Sequence, residues 1–411
     1  MTNGLWMWYL SSHRETSSIL PISKKGICSM ASATPVVTDA ATLEEVIEVL
    51  QEHVHIQMEG DFQPETLFEI LVHAASNAES IEQTSKTLDN SPTGNDVRYH
   101  LSKLENLEAL EEQLNEGLRS RVPGRLQNSR QKLAIDLNLI PYYGIPSEEE
   151  KPYIIRSQAK AGTCSFYAYA TEYVISRGKR MTLALHAVRR DETLVCVITR
   201  LLDQIAQLHI SIKRLYLDRG FYCVPVIRWL QACDIPLEMP VIVRGKQGGT
   251  RALVQRKRTY KTSYTMHSQS YGSVTFQIWV VGTYQMGRRG HHGVEYLAFV
   301  VYKVPLRIRA LPGDYRKRFG IESSYRLKNL CRIRTTTKNP VTRLLYVGIA
   351  FLLVNLWVFI IWTCVSRPRQ GGRQLFQALF PLRTMLQFLR QAVERRIGVK
   401  TEIYLPQEVL L

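Results

Sequence analysis

The chain is 411 residues long, and its 53 Lys and Arg outnumber 36 Asp and Glu for a formal net charge of +17. That length exceeds what one core usually supports, about 250–300 residues, so two or three domains are expected. With 45% apolar and 22% charged residues the chain is not wholly disordered, and seven Cys without a Cys-x-x-Cys pair exclude a disulfide scaffold and suit a reducing compartment.

The charge is uneven. Residues 1–100 hold 5 basic and 14 acidic residues; the rest holds 48 and 22, a net of +26. So basic a stretch calls for a polyanion, nucleic acid first and a membrane surface second. A generically basic soluble protein is the plain alternative.

Residues 1–38 read as a disordered arm or an over-called start, with translation beginning at Met30. A helix is expected over 40–58, where Leu43, Val46, Ile47, Leu50 and Val54 recur at steps of three and four. Pro64 opens a second helix carrying Leu67, Ile70, Leu71 and Ala74. Residues 80–104 then read as helix, turn, helix, with Arg98, His100 and Lys103 outward, the pattern of a helix-turn-helix DNA reader or of any antiparallel helix pair. Residues 39–127 are thus an all-α, helix-turn-helix-like domain, and its last helix, 105–126, turns basic and reads as a linker.

From residue 128 the pattern becomes α/β. Residues 131–144, 166–176 and 180–188 read as strands, 192–208 as a helix, 213–217 as a strand, 221–233 as a helix and 236–244 as a strand. Three strands, helix, strand, helix, strand is the order of a ribonuclease-H-like core. It is interrupted at about 245–308 by an antiparallel β insertion, where 259–268, 273–284 and 295–304 alternate in period two. The insertion is basic at Arg256, Lys257, Arg258, Arg288 and Arg289, which are candidate DNA contacts.

Asp136 and Asp218 each end an apolar strand, and Glu322 lies on a helix beginning near Pro312–Asp314. In such a sheet the first and fourth strands are neighbours and the last helix packs beside them. Three carboxylates converging there suit two divalent ions, Mg²⁺ or Mn²⁺, roughly 3.5–4 Å apart. Singly, a strand-terminal Asp is more often a turn residue or a cap.

Four stretches resemble DDE transposases of insertion sequences, notably the haloarchaeal-type group: AIDLNLIPYYG, GTCSFYAYATEYVISRGKRMTLALHAV, LYLDRGFYCVPVIRWL and YRKRFGIESSYRLKNLCRIRTTTKNPVTRLLY. The resemblance spans residues 40–362. Tyr315, Arg318 and Glu322 fit that group's Tyr-Arg-Glu-Lys signature, but the Lys position is Asn329. Lys328, a candidate DNA contact, stands one residue early and about 100° round a helix. The resemblance implies metal-dependent strand cleavage and strand transfer on double-stranded DNA at inverted repeats, by a homodimer in a synaptic complex. It also implies that the signature Lys holds a phosphate and that the insertion grips a hairpin or flipped base. Arg326, one turn after Glu322, is a substitute for the Lys. Arg318 suits bidentate phosphate binding, and Tyr315 suits stacking or a phosphate bond. Trp279 and Tyr284 are candidate stacking residues, or ordinary sheet residues. A cytoplasmic, nucleoid-associated protein is implied.

Leu344–Trp362 carries no formal charge over 19 residues and reads as a transmembrane candidate by length, with Arg367 and Arg369 as basic flanks. Asn355 in its middle, and the buried helix found at this place in the resembled transposases, favour a core helix. Residues 363–411 read as a basic helical tail. Two alternatives stay open: a catalytically inactive or membrane-associated DNA-binding relative, and a structure-specific nuclease of the same fold.

Overall fold

The computed structural model describes residues 36–402 except 61, 177, 179, 246–248 and 287–291. The expectations for the N-terminal arm and for Arg288 and Arg289 lie outside the described residues.

Helix α1 (Asp39–His53) starts where the Thr38 hydroxyl accepts from Ala41 N, and it buries Leu43, Val46, Ile47 and Leu50. Helix α2 (Pro64–Asn77) opens on its proline and ends at Ala78, which takes a left-handed conformation at φ 51°. Helices α3 (Ile81–Thr87) and α4 (Gly94–Ser102) follow, α4 held by a Thr93–Asp96 capping box. Helix α5 (Leu107–Ser120) is no linker: Leu110, Leu114 and Leu118 are buried in the core, and Asn115 exchanges two hydrogen bonds with the Leu185 backbone.

The sheet holds nine described strands: β1 (Arg130–Pro141), β2 (Ile154–Lys160), β3 (Thr163–Val174), β4 (Thr182–Ala187), β5 (Ser211–Tyr216), β6 (Leu237–Pro240), β7 (Tyr260–Ser268), β8 (Gly272–Met286) and β9 (His292–Tyr302). Their order is β2-β3-β1-β5-β6-β9-β8-β7, with β4 also on β3. β3 runs antiparallel to β1, whereas β5 is parallel to β1 and β6 parallel to β5. Helix α6 (Leu194–Ala206) links β4 to β5, and α7 (Val224–Ala232) links β5 to β6. The 245–308 region contributes a short helix α8 (Gly249–Gln255) and then strands that continue the central sheet, because β9 pairs with β6.

Alternate residues of β1 face opposite ways. Leu133 and Ile135 join the core under α6 and α7, while Ala134 joins a second core beneath α9 (Leu311–Tyr315) and α10 (Phe319–Leu330). The expected single helix from Pro312 is thus broken: a 3₁₀ turn, Arg316–Arg318, separates α9 from α10.

The apolar run lies in α11 (Pro340–Thr363), and 94% of its most apolar window is buried within the fold. Asn355 explains how a polar group sits there. Its amide donates to Leu118 O at 3.1 Å and Thr182 O at 2.7 Å and accepts from Thr182 N at 3.0 Å, so every polar atom is paired. At Gly348 a Cβ would stand 2.5 Å from Leu114 Cδ1, so glycine lets α5 pack against α11.

The tail corrects the expected continuous helix. Ser366–Arg369 and Gly372–Leu375 form a hairpin, β10–β11, turning at Gly371 with φ 78°, and only then does α12 (Leu382–Ile397) begin. The α12 helix packs on α1 and α2, adding Met385, Leu389 and Val393 to their core. Arg396 pairs with Glu65 at 3.0 Å and Glu69 at 2.9 Å. Leu88 bridges Val399, and Lys400 N donates to Thr87 O at 3.0 Å.

Candidate active site

The register of β1 and β5 fixes the centre of the site. Ala134 pairs with Tyr216 across parallel strands, so Asp136 and Asp218, each two residues further on, stand level on the same face of neighbouring strands. Asp136 Oδ1 accepts from Leu137 N at 2.9 Å. Asp218 Oδ1 accepts from Arg219 N at 2.7 Å and caps a short 3₁₀ turn, Arg219–Phe221. Glu322 comes from the first turn of α10, which docks on the sheet through a 2.7 Å bond between Tyr325 and Thr171 hydroxyls.

Arg318 joins all three. Its Nη1 donates to Asp136 Oδ2 at 3.2 Å, and its Nη2 lies 3.0 Å from Glu322 Oε1 and 3.7 Å from Asp218 Oδ1. Arg318 is 5% exposed, so its charge acts in a medium that screens poorly. Burial pushes the Asp136 carboxyl up to about 6; Arg318 opposes this and the Asp218 charge adds to it. The donors are oxygens from three elements, which suits a hard divalent ion. As arranged, they surround a guanidinium, and among the described residues no three acidic, His or Cys side chains stand close enough to share an ion. The residues therefore fit Mg²⁺ or Mn²⁺ in chemistry, at the ground that Arg318 holds.

A second polar cluster lies beneath. Asp314 accepts from Lys132 at 2.7 Å, Lys317 at 2.6 Å, the Tyr216 hydroxyl at 2.7 Å and Arg214. Arg214 also reaches Glu238 at 2.8 Å. Burial pushes Lys132 down to about 8, reinforced by Arg214 and Lys317, and burial pushes Glu238 up to about 7. The cluster ties the segment before α10 to β1 and β5, and sequence reasoning missed it. One signal was there: Lys132 and Arg214 each stand four residues before their strand's Asp, and they pair in register.

Several candidates sit differently from expectation. Tyr315 is buried and its hydroxyl donates to Leu217 O at 2.9 Å, so it supports the strand leading to Asp218 and does not face a base or phosphate. Trp279 is 7% exposed with Lys261 Nζ 3.9 Å from its ring centre, which leaves no open face for stacking. Lys328 is wholly buried, its Nζ makes no hydrogen bond, and it lies 5.7 Å from the Phe351 ring, out of reach of a phosphate. Arg326 and Asn329 are exposed on α10, and Tyr284 is exposed on β8. Arg256 and Arg258 flank the Tyr260 ring, and with Lys257 they are exposed. In the α3–α4 pair, Arg98 bonds Glu82 at 3.1 Å and Lys103 bonds Glu59 at 2.9 Å, so both cations already have acidic partners.

The chain is a mixed α/β protein built on one large mixed sheet. A solved piggyBac transposase, captured in a synaptic complex with hairpin DNA, superimposes with a TM-score of 0.53 at 10% identity, over 88% of this chain and 78% of that one. What is shared at that identity is the fold. No known family profile and no curated protein matches the sequence.

Proposed function

We propose that this chain is a DDE-type transposase that cleaves DNA and transfers strands at the inverted-repeat ends of an insertion sequence of the haloarchaeal-like kind. The observation that carries the reading is the level pair Asp136 and Asp218 on adjacent parallel strands, with Glu322 converging on the same guanidinium. The order β4-β3-β1-β5-β6, with β3 antiparallel to β1 and both β5 and β6 running with it, supports a ribonuclease-H-like core over residues 128–362. The fold shared with a transposase solved on DNA agrees with it.

In this reading Asp136, Asp218 and Glu322 hold Mg²⁺ or Mn²⁺, two ions in all. Such ions, when bound, activate water or a 3′-hydroxyl and stabilise the leaving oxygen. Arg318, released from the carboxylates, grips the scissile phosphate with two parallel hydrogen bonds. Arg326, exposed on α10, takes the phosphate role of the missing signature Lys. Arg256, Lys257 and Arg258, with Arg288 and Arg289, draw in the flanking duplex, residues 39–127 contribute terminal-repeat binding, and two copies pair the ends.

The test is Mg²⁺-dependent nicking of an oligonucleotide carrying the repeat that flanks the gene. Asp218→Ala should abolish it while leaving the far-ultraviolet circular dichroism unchanged; cleavage that persists sinks the proposal. A second reading, a DNA-binding relative with an idle site, draws on Arg318 occupying the space between the carboxylates and on Asn329. Titration with Mn²⁺ separates the two: the active enzyme binds it in a manner lost in Asp218→Ala, and the idle relative does not bind it.

A further inference from the structure

A cavity of about 280 Å³ opens where three distant parts of the chain meet: the last turn of α2 at Ser76, the last residue of α10, Leu330, and one side of α12. Arg383, Gln387 and Arg390 line it from α12, at steps of four and three that put them on a single helix face. Buried Leu386 lines it as well.

The polar groups here are donors short of acceptors. Ser76 Oγ and Arg390 Nε are both shut off from solvent, and among the described residues neither has a hydrogen-bond partner. A serine inside a helix often turns its hydroxyl onto the carbonyl four residues back, and Ser76 does not. Arg383 is exposed and, among the described residues, forms no hydrogen bond or ion pair. Leaving buried donors unpaired is costly, and an oxyanion that accepts from both removes the cost.

Nearby carboxylates do not supply the missing acceptor. Between Glu322 and Glu394 the chain has 11 Lys and Arg and no Asp or Glu. Glu394 comes near: its Oε1 stands 3.7 Å from Arg390 Nε, beyond hydrogen-bond reach, and 3.4 Å from Nε2 of the buried His73. Glu79, three residues after Ser76, faces Nδ1 of the same imidazole at 3.4 Å and accepts from the Thr84 hydroxyl at 2.9 Å. Two guanidiniums thus share at most one carboxylate. The helix adds to the imbalance, because α12 begins after Pro381 with no capping side chain and no acid in its first turn, where Arg383 stands. The amino end of a helix carries partial positive charge, so a cation placed there gains from an anion.

The donor set identifies that anion. Two guanidinium forks, a hydroxyl and a carboxamide surround the space. A carboxylate has two oxygens and can satisfy one fork, whereas a phosphoryl group presents three or more and can satisfy both.

We propose that this cavity is a phosphate site, in which Arg383 and Arg390 grip the oxygens and Ser76 and Gln387 complete the donors. A free phosphorylated compound and a nucleic-acid backbone offer the same group to these donors. Bound there, it ties the tail helix to α2 beside the end of the helix that carries Glu322. The proposal does not depend on the DNA-cleaving reading above. The test is isothermal titration calorimetry of the full chain with inorganic phosphate, without divalent metal and at constant ionic strength. One phosphate should bind per chain with a dissociation constant below about 1 mM. Arg383→Gln and Arg390→Gln should each weaken it about tenfold or more, and Ser76→Ala about threefold. Arg383 is exposed, so its variant tests the site even where Arg390→Gln disturbs the packing of α12. Saturating blunt duplex that suppresses the phosphate titration assigns the site to a nucleic-acid backbone, and an unchanged titration assigns it to a free phosphate compound. No saturable binding, or binding indifferent to both arginine variants, overturns the proposal. Nicking is not measured, so this result and that of Asp218→Ala are separate.

Discussion

Arg318 donates from Nη1 to Asp136 Oδ2 at 3.2 Å, joining residues 182 apart in sequence, and the same guanidinium reaches Asp218 and Glu322. One side chain thus offsets part of the mutual repulsion of three carboxylates. Arg318→Ala should lower the thermal midpoint by on the order of 5 °C in metal-free buffer. Millimolar Mg²⁺ or Mn²⁺ should then raise the midpoint more in the variant than in the wild type, because the ion no longer competes with a guanidinium. Equal gains in a metal titration followed by differential scanning fluorimetry would refute this.

Asn355 distinguishes a protein-packed helix from a lipid-facing one. Asn355→Leu should cost on the order of 3 kcal/mol in denaturant unfolding, since it strands the Thr182 N–H and the carbonyls of Thr182 and Leu118 inside the core. In a bilayer the same change would be favourable. An Asn355→Leu variant as stable as the wild type would contradict the packing described.

His186 sits between Glu111 at 2.8 Å and Glu192 at 2.7 Å. Burial alone would lower its pKa, but the two carboxylates outweigh it and raise it to about 9. The folded value lies above the unfolded one of about 6.5, so the stabilisation is complete below pH 6.5 and disappears as pH rises through 9. His186→Gln should therefore cost about 2–3 kcal/mol at pH 6 and far less at pH 9.5. Denaturant curves at the two pH values check it.

Lys328 has the opposite sign. Burial, and then the Arg332 charge, push its ammonium down to about 7, so folding is penalised wherever the unfolded lysine is charged. Lys328→Met should stabilise the protein by on the order of 2–4 kcal/mol at pH 7 and by little near pH 10.5. A destabilised or pH-independent variant would show that the ammonium has a partner in solution.

Most strands of the central sheet were legible from their hydrophobic runs, but the polar edge strand β2 (Ile154–Lys160) was not, and it is the parallel pairing of β1 with β5 that sets Asp136 beside Asp218. The guanidinium shared by all three carboxylates was not legible either, since spacing places Arg318 near Glu322 but says nothing of Asp136 across the strand. Period-two alternation shows that Trp279 shares a face with its neighbours, not that Lys261 and the α9 core cover that face. Lys328 looked like a surface cation because helical spacing assigns an angle without saying what packs there. The hairpin at 366–375 was hidden by Leu and Phe spacing that mimics a helix, although Gly371 and Gly372 mark its turn. The strands of the insertion were found, but alternation does not say that β9 returns to pair with β6.

Arg396 and Glu69, 327 residues apart, belong to one small helical core, and Val399 completes the turn after Leu88. The helices made first during synthesis thus depend on a segment made hundreds of residues later. At ordinary translation speeds they wait roughly 15–60 s for it. A ribosome-bound chain would hold its strands and carboxylates before it held a finished N-terminal bundle. The interval between the two sets a clock on when the newborn protein can first engage another molecule through that bundle.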